Sequence, residues 1–390
     1  PVGLLNIGFN LFGGCTNLKT VSMPNEITSI SEQAFSNCSS LTEITIPKKV
    51  KNIGKNAFNG CSSLKSISIP VGVTSIGAQA FSNCSSLTEI VLPNSVKSIG
   101  KGSFAGCKSL SSIELPTEIT SIGFNLFAEC VSLKNILIPT KVTIIDAQAF
   151  LNCISLVEIV IPESVTTIGF NAFYGCSNLK NITIPNSVTQ IGRGAFFQCQ
   201  KLECITLPAN IPKIETGLFN SCYAISSVTF SKGVTSIENY AFYKCNNIKY
   251  IHFNGTEEQW NAISIGSNNE PLLNATLHYN YEDDNTPEQE IHIAIFNIKD
   301  ENGNLVDKIT VMYYEGETII APIYDKVGEN QVFSGWNVPE GTVMGTSDLE
   351  FDATLITVKP DTPVLSEEEK YETPSVDAGG VFVIMKEETI

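Results

Sequence analysis

A strict 23-residue period constrains this chain more than any other feature. Cysteine recurs at Cys15, Cys38, Cys61, Cys84, Cys107, Cys130, Cys153, Cys176, Cys199, Cys222 and Cys245 without one insertion. A phenylalanine precedes each cysteine by three residues, from Phe12 to Phe242. Proline recurs from Pro1 to Pro208 and gives way to Ser231 in the last copy. Eleven copies in one phase specify a solenoid, whose coils touch only their neighbours.

The unit Leu64 to Ser86, LKSISIPVGVTSIGAQAFSNCSS, shows what one coil does. Leu64, Ile67 and Ile69 alternate with polar residues, the pattern of a short strand with one buried face. Pro70 donates no ladder hydrogen bond and ends that strand. Val73 and Ile76 turn inward, and Gly77 is expected to allow a tight bend. Ala80, Phe81 and Cys84 have the spacing of a single helical turn against the core. A coil alone cannot offset the entropy of ordering its backbone; stacking buries its open faces and pairs its strands in parallel. The expected fold is an α/β leucine-rich-repeat solenoid of about eleven 23-residue coils, with a parallel sheet on the concave face and a small β-rich domain after it.

The cysteines read as core residues. Parallel stacking separates equivalent side chains by about 4.8 Å, the strand spacing. A disulfide wants Cβ atoms about 3.8 Å apart at a particular dihedral. Free, buried thiols follow, with Cys204 alone out of phase and facing outward. Spacing of this kind also differs from the paired cysteines of zinc sites, so no metal site and no cofactor is expected.

Charge divides the chain. Residues 1–253 carry 18 Lys/Arg against 13 Asp/Glu, net +5, while residues 254–390 carry 6 against 27, net −21. So acidic a second part argues against nucleic acid or an anionic membrane as partner. No apolar run reaches the ~18–20 residues of a membrane-spanning helix, so no membrane insertion is expected. No signal peptide is visible, but Pro1 is already in phase with the repeat prolines, so the natural N-terminus is expected further upstream.

The repeat register also says which side chains leave the sheet. From Lys19, Thr20 and Ser22 onward, most are small and hydroxylated. One stretch departs from this. Leu137, Val157 and Val160 place branched apolar groups on neighbouring coils, beside Lys134, Glu158, Lys180 and Asn181. With Tyr250 and His252 at the far end of the face, these are the candidate binding residues, because grouped apolar side chains on a solvent-facing sheet mark interaction sites. The bland alternative is that β-branched residues suit strands.

After residue 253 the period ends. Residues 254–280 read as a C-terminal cap in which Trp260, Ile263, Ile265, Leu272, Leu273 and Leu277 cover the last coil and its strand edge. Residues 281–289 read as a charged linker. Residues 290–358 read as a small β-rich domain with strands at Ile291–Phe296, Lys308–Tyr314 and near Asp352–Val358, and a hairpin turn at Asn302-Gly303. Residues 359–390 read as an acidic, proline-containing linker and the start of a possible further element.

The frame x-x-I-G-x-x-A-F-x-x-C-x-x-L-x-x-I-x-I-P resembles the BspA-type leucine-rich repeat over residues 1–253. Gly255-Thr256, Glu258-Gln259-Trp260, Asn274-Ala275-Thr276 and His278-Tyr279-Asn280 resemble that family's terminal cap. Gly316-Glu317, Phe333-Ser334-Gly335-Trp336 and Asp348 to Ala353 resemble the Listeria–Bacteroides (internalin-type) B-repeat, a β-grasp-like module, although its A-x-W ending is absent. The resemblance implies a secreted or cell-surface, non-enzymatic adhesion protein that binds a host or matrix protein, or a glycan. It carries no catalytic residue over.

No G-x-S-x-G, P-loop, G-x-G-x-x-G or H-E-x-x-H motif occurs, and none of His252, His278 and His292 has a triad or metal partner at the usual spacing. Glu282, Asp283 and Asp284 lack the glycine-bearing loop of a calcium site. The alternative to a binding protein is a passive stalk for domains outside this chain.

Overall fold

The computed structural model describes residues 3–280, 291–314, 318–319, 321–322, 331–339, 341–344 and 349–357. They belong to two compact units, Pro1–Glu282 and Asp283–Ile390. The linker expected at 281–289, which includes Glu282, Asp283 and Asp284, and the segment 359–390 lie outside the described residues.

The first unit is a parallel β-solenoid in which, up to Tyr250–Phe253, every ladder runs from a residue to its counterpart 23 positions on. Ser66–Ser68 is a strand with Ile67 buried and both serines exposed. It pairs in parallel with Glu89–Val91, Ser66 opposite Glu89 and Ser68 opposite Val91. Ser75–Ile76 forms a second, two-residue strand that continues Asn6–Ile7, Ser29–Ile30 and Asn52–Ile53 and passes to Ser98–Ile99. Pro70 lies between the two ladders, its carbonyl accepting the Val73 N–H at 2.9 Å.

The third side of the coil is built from turns, which corrects the expected helical turn. The N–H groups of Ala80, Ser82 and Cys84 donate three residues back within the coil, to Gly77, Gln79 and Phe81. Those of Gln79, Phe81 and Asn83 donate to the next coil, to Lys101, Ser103 and Ala105. A helix would spend all its N–H groups on itself; here every second one is left to join coils. Gln79 (φ 56°) and Asn83 (φ 58°) hold the left-handed backbone this alternation needs, and Asn, Gln or Gly recurs at those positions. Gly77 is also explained differently from expectation. A Cβ there would stand 2.5 Å from the backbone nitrogen of Lys55, so glycine permits the close approach of the preceding coil.

Inside, one continuous apolar core runs from Ile7 to Leu272. Phe12 through Phe242 stack in an unbroken column, centroids 5.1–5.9 Å apart and planes within 27°. These separations exceed the ~4.8 Å strand spacing, as offset stacking requires. Beside it runs the thiol column. Cys84 Sγ donates to the carbonyl of Phe58 in the preceding coil at 3.2 Å, and the same bond recurs from Cys38 to Cys245. All twelve cysteines are free thiols. Burial pushes the Cys61 thiol up to about 12, with its neighbour Cys38 adding to the shift, and Cys84 rises for the same reasons. Cys15 departs from expectation and is exposed.

Residues 254–280 close the other end as a longer, twelfth coil. Ser264–Ile265 extends the two-residue ladder from Ser236–Ile237, and Thr276–Tyr279 extends the broad sheet from Tyr250–Phe253. The helix Glu257–Asn261 starts with a capping box between Thr256 and Gln259. It lays Trp260 edge-on against Phe230 and Phe253. Ile263 and Leu272 are buried as expected, whereas Leu273 is 66% exposed and covers nothing. Asn269 completes the closure. Its side chain accepts the Phe242 N–H at 3.0 Å and donates to the Glu238 and Gly266 carbonyls. That oxygen replaces the backbone carbonyl of a following coil, alanine in most coils, which accepts the phenylalanine N–H elsewhere in the stack.

The second unit is a four-stranded mixed sheet in the order Leu305–Tyr314, Ile291–Lys299, Leu349–Thr357, Gln331–Phe333. The first two strands form a hairpin, and the two long central ones, Ile291–Lys299 and Leu349–Thr357, are parallel. Asp300 Oδ1 accepts from the Asn302 and Asn304 N–H groups at the expected turn. The core gathers Ala294, Phe296, Ile319, Met344 and Phe351, with Trp336 edge-on to Phe296 and its indole N–H on the Pro322 carbonyl.

Candidate binding face

The broad sheet presents its outward residues because its strands alternate buried and exposed positions, as in Glu158–Val160 and Asn181–Thr183. Ladder bonds set their columns. The Val157 N–H donates to Lys134 O at 3.3 Å, and the Lys180 N–H to Val157 O at 2.9 Å. Glu158 stands opposite Asn181 and Val160 opposite Thr183. Lys134, Val157 and Lys180 are therefore one column, and Leu137 and Val160 belong to another on the same face. Leu137 is 39% and Val157 42% exposed; Lys134, Glu158, Lys180 and Asn181 are exposed and Val160 is half-buried.

Tyr250 and His252 are not brought to this cluster. They stand three coils beyond Asn181, about 14 Å at ~4.8 Å per strand. Tyr250 is exposed and His252 half-buried. What they do meet is His278 of the last coil, which lies opposite His252 in register. The two imidazoles have centroids 5.3 Å apart and planes 27° apart, and the Tyr250 ring is 6.0 Å from His278.

Other exposed groups were left out of the candidate set. Val91, on the same sheet, is 55% exposed, separated from Leu137 by the Glu114 coil. On the turn side, Tyr174 stacks on Phe197 at 4.9 Å, and Phe170 is exposed. The available signal was the residue after each repeat phenylalanine, commonly Ser, Asn or Ala, which becomes Leu151, Tyr174 and Phe197 on successive coils.

Two shallow depressions accompany this face and the cap. One, about 550 Å³, lies over the first three coils and includes Thr20, Glu43, Thr45, Lys48, Ser66 and Ser68. The other, about 500 Å³, lies between Tyr243, Lys244 and the Glu270-Pro271 turn. Neither holds a histidine or cysteine, so neither pairs a nucleophile with an imidazole base. Among the described residues, no three or more His, Cys, Asp or Glu side chains are grouped to hold a metal ion, and no helix is long and apolar enough to cross a membrane.

Comparison with known proteins agrees with the repeat frame. Residues 1–90, 74–177 and 143–268 match the BspA type leucine rich repeat region, in six copies. Similar solved structures include a leucine-rich repeat protein from Bacteroides ovatus, 28% identical over 71% of this chain and 87% of that one (TM-score 0.40). A leucine rich cell surface protein from Faecalibacterium prausnitzii is 29% identical over 67% of this chain and 86% of its own (TM-score 0.42). The leucine rich repeat protein of T. pallidum is 30% identical over 47% and 77% (TM-score 0.36). No curated protein sequence matches the chain. The chain belongs to the BspA-type leucine-rich repeat family.

Proposed function

We propose that the chain is a non-enzymatic, secreted or cell-surface binding protein, and that its sheet docks a host or matrix protein, or a glycan, around Leu137, Val157 and Val160. The observation that carries this reading is a cluster of solvent-facing branched apolar groups, Leu137 and Val157 exposed and Val160 half-buried, flanked by Lys134, Lys180 and Glu158 on a face that is mostly small and hydroxylated. Apolar side chains would supply desolvation on docking; the charges around them would set orientation. The name of the F. prausnitzii relative, a cell surface protein, supports the location.

The test is capture from host mucosal extract by the parent chain and by the L137D/V157D/V160D variant. Equal thermal melts and a lost partner support the reading. Undiminished capture of the same partner moves the site elsewhere. If the parent captures nothing that survives washing, the array is a spacer, the second reading, which the mostly small and hydroxylated face favours.

A further inference from the structure

The turn side of the solenoid carries its own departure from the repeat, away from the sheet face. After each repeat phenylalanine the first coils hold Gly13, Ser36 and Asn59, whereas Tyr174 and Phe197 occupy that position on neighbouring coils and stack at 4.9 Å. Phe170, Ile154 and Tyr223 are 46%, 43% and 47% exposed around them. Bonds between coils, such as Gly175 N–H to the Phe197 carbonyl and Asn171 N–H to the Arg193 carbonyl, align equal repeat positions in columns.

The columns share one centre. Tyr174 and Phe197 flank the gap between the coils of Cys176 and Cys199. Phe170 and the exposed Arg193, four residues before each of them, flank the same gap. At the position after the repeat cysteine, Ile154 and Tyr223 stand one coil further out on either side. At the position before it, Glu129 and Lys244 stand two coils further out and are the only charged residues in that column. At about 4.8 Å per coil, these two charges lie about 24 Å apart. Both are exposed, and neither has an ion pair among the described residues; the Lys244 ammonium lies over the Tyr243 ring at 5.4 Å.

A two-fold axis lying in this face, across the solenoid at the shared gap, sets each member of a pair on its mate in a second, antiparallel copy. Tyr174 then meets Phe197, and Ile154 meets Tyr223, as apolar contacts. Phe170 meets Arg193, ring against guanidinium. Glu129 meets Lys244, and every contact is made twice. One like-signed match arises at the edge of the face, Asp146 with Glu215, and Lys213 stands 3.2 Å from Glu215 to offset it. A parallel two-fold would bring equal coils to one level, Lys244 near Lys244 and Glu129 near Glu129, and the repulsion opposes association. An unrelated partner requires no symmetry about a single gap, whereas a copy of the same chain does.

We propose that this face is an antiparallel homodimer interface, centred between the coils of Cys176 and Cys199, and that its occupant is a second copy of the chain. The sheet face with Leu137, Val157 and Val160 lies on another side of each coil and is left free.

The experiment is sedimentation equilibrium of the full chain, with reductant present to keep the exposed Cys15 and Cys204 from cross-linking. The expected result is a monomer–dimer equilibrium. F170D abolishes it without lowering the melting point of the monomer, since the ring is already in solvent. E129K and K244E each weaken it about tenfold or more, because each reversal sets like charges together at two places. E129K/K244E restores it, a recovery that this pairing alone gives. L137D/V157D/V160D leaves it unchanged. A parent that stays monomeric up to about 0.1 mM overturns the proposal. So does a dimer that survives F170D, that neither single reversal weakens, that the double reversal fails to restore, or that the sheet-face variant removes.

Discussion

The two units bury apolar surface by opposite means. In the solenoid each buried ring, thiol and strand residue repeats 23 positions away, so the core is a line of near-identical contacts with no centre. In the second unit Phe296 is a centre, touching both Trp336 and Phe351. The difference teaches where damage stays. A defect in a one-dimensional array is shared between two interfaces, while a defect in a small single core reaches every strand.

The largest expected effect concerns the thiols, present in the first unit and absent from the second. The ordinary pKa is 9.0 and burial raises Cys61, Cys107, Cys176 and Cys245 to about 12, so folding favours the neutral thiol. The stability tied to that form is intact below about pH 9 and lost as pH rises toward 12, by about 1.4 kcal/mol per pH unit for each such thiol. Denaturant melts should show the solenoid weakening steeply between about pH 9 and 11. A flat midpoint across that range removes the buried thiol column from the account.

Next comes a matched pair, Phe127→Ala and Phe296→Ala, each costing about 3–5 kcal/mol. A core of the second unit's size supplies no more than about 3–5 kcal/mol in all, so F296A should unfold that unit. F127A should leave the solenoid folded with a lowered melting point, because Phe104 and Phe150 keep their other neighbours. Hydrogen exchange separates the two: protection vanishes throughout Ile291–Thr357 in one and only near the lesion in the other. If F296A loses protection only locally, the contrast between the units is wrong.

Asn269→Ala probes the closed end. It leaves the buried Phe242 N–H without its partner, at about 1–3 kcal/mol, while the Glu238 carbonyl keeps the Ala241 N–H. Exchange of the last coil's amides should accelerate while Phe35 and Phe58 stay protected. The smallest effect is Lys49→Ala. Its ion pair with Glu26 joins adjacent coils, but both side chains are more than half exposed, so the melt should move by less than about 1 kcal/mol.

The legible part of the fold was what repetition repeats. A period of one cysteine, one phenylalanine and one proline implies columns, and the columns are there. The turn side was misread because Ala80, Phe81 and Cys84 have helical spacing, and spacing does not say whether an N–H bonds within its coil or to the next. The asparagines and glycines at the left-handed positions carried that information, but they matter only once neighbouring coils lie close enough to accept. The candidate patch was legible because outward positions follow from alternation, whereas Tyr250 and His252 were named with it although they stand three coils beyond Asn181.

By itself the sequence determined the period, the inward and outward alternation and the parallel direction of stacking, since each follows from local spacing and the need to bury repeated apolar residues. Tertiary structure alone decided what depends on contacts between non-equivalent residues. Asn269 taking the place of a missing carbonyl and His278 arriving opposite His252 both occur in the closing coil, where the 23-residue rule has ended. Beyond that rule no spacing predicts register; only the hydrogen bonds made on closure set it.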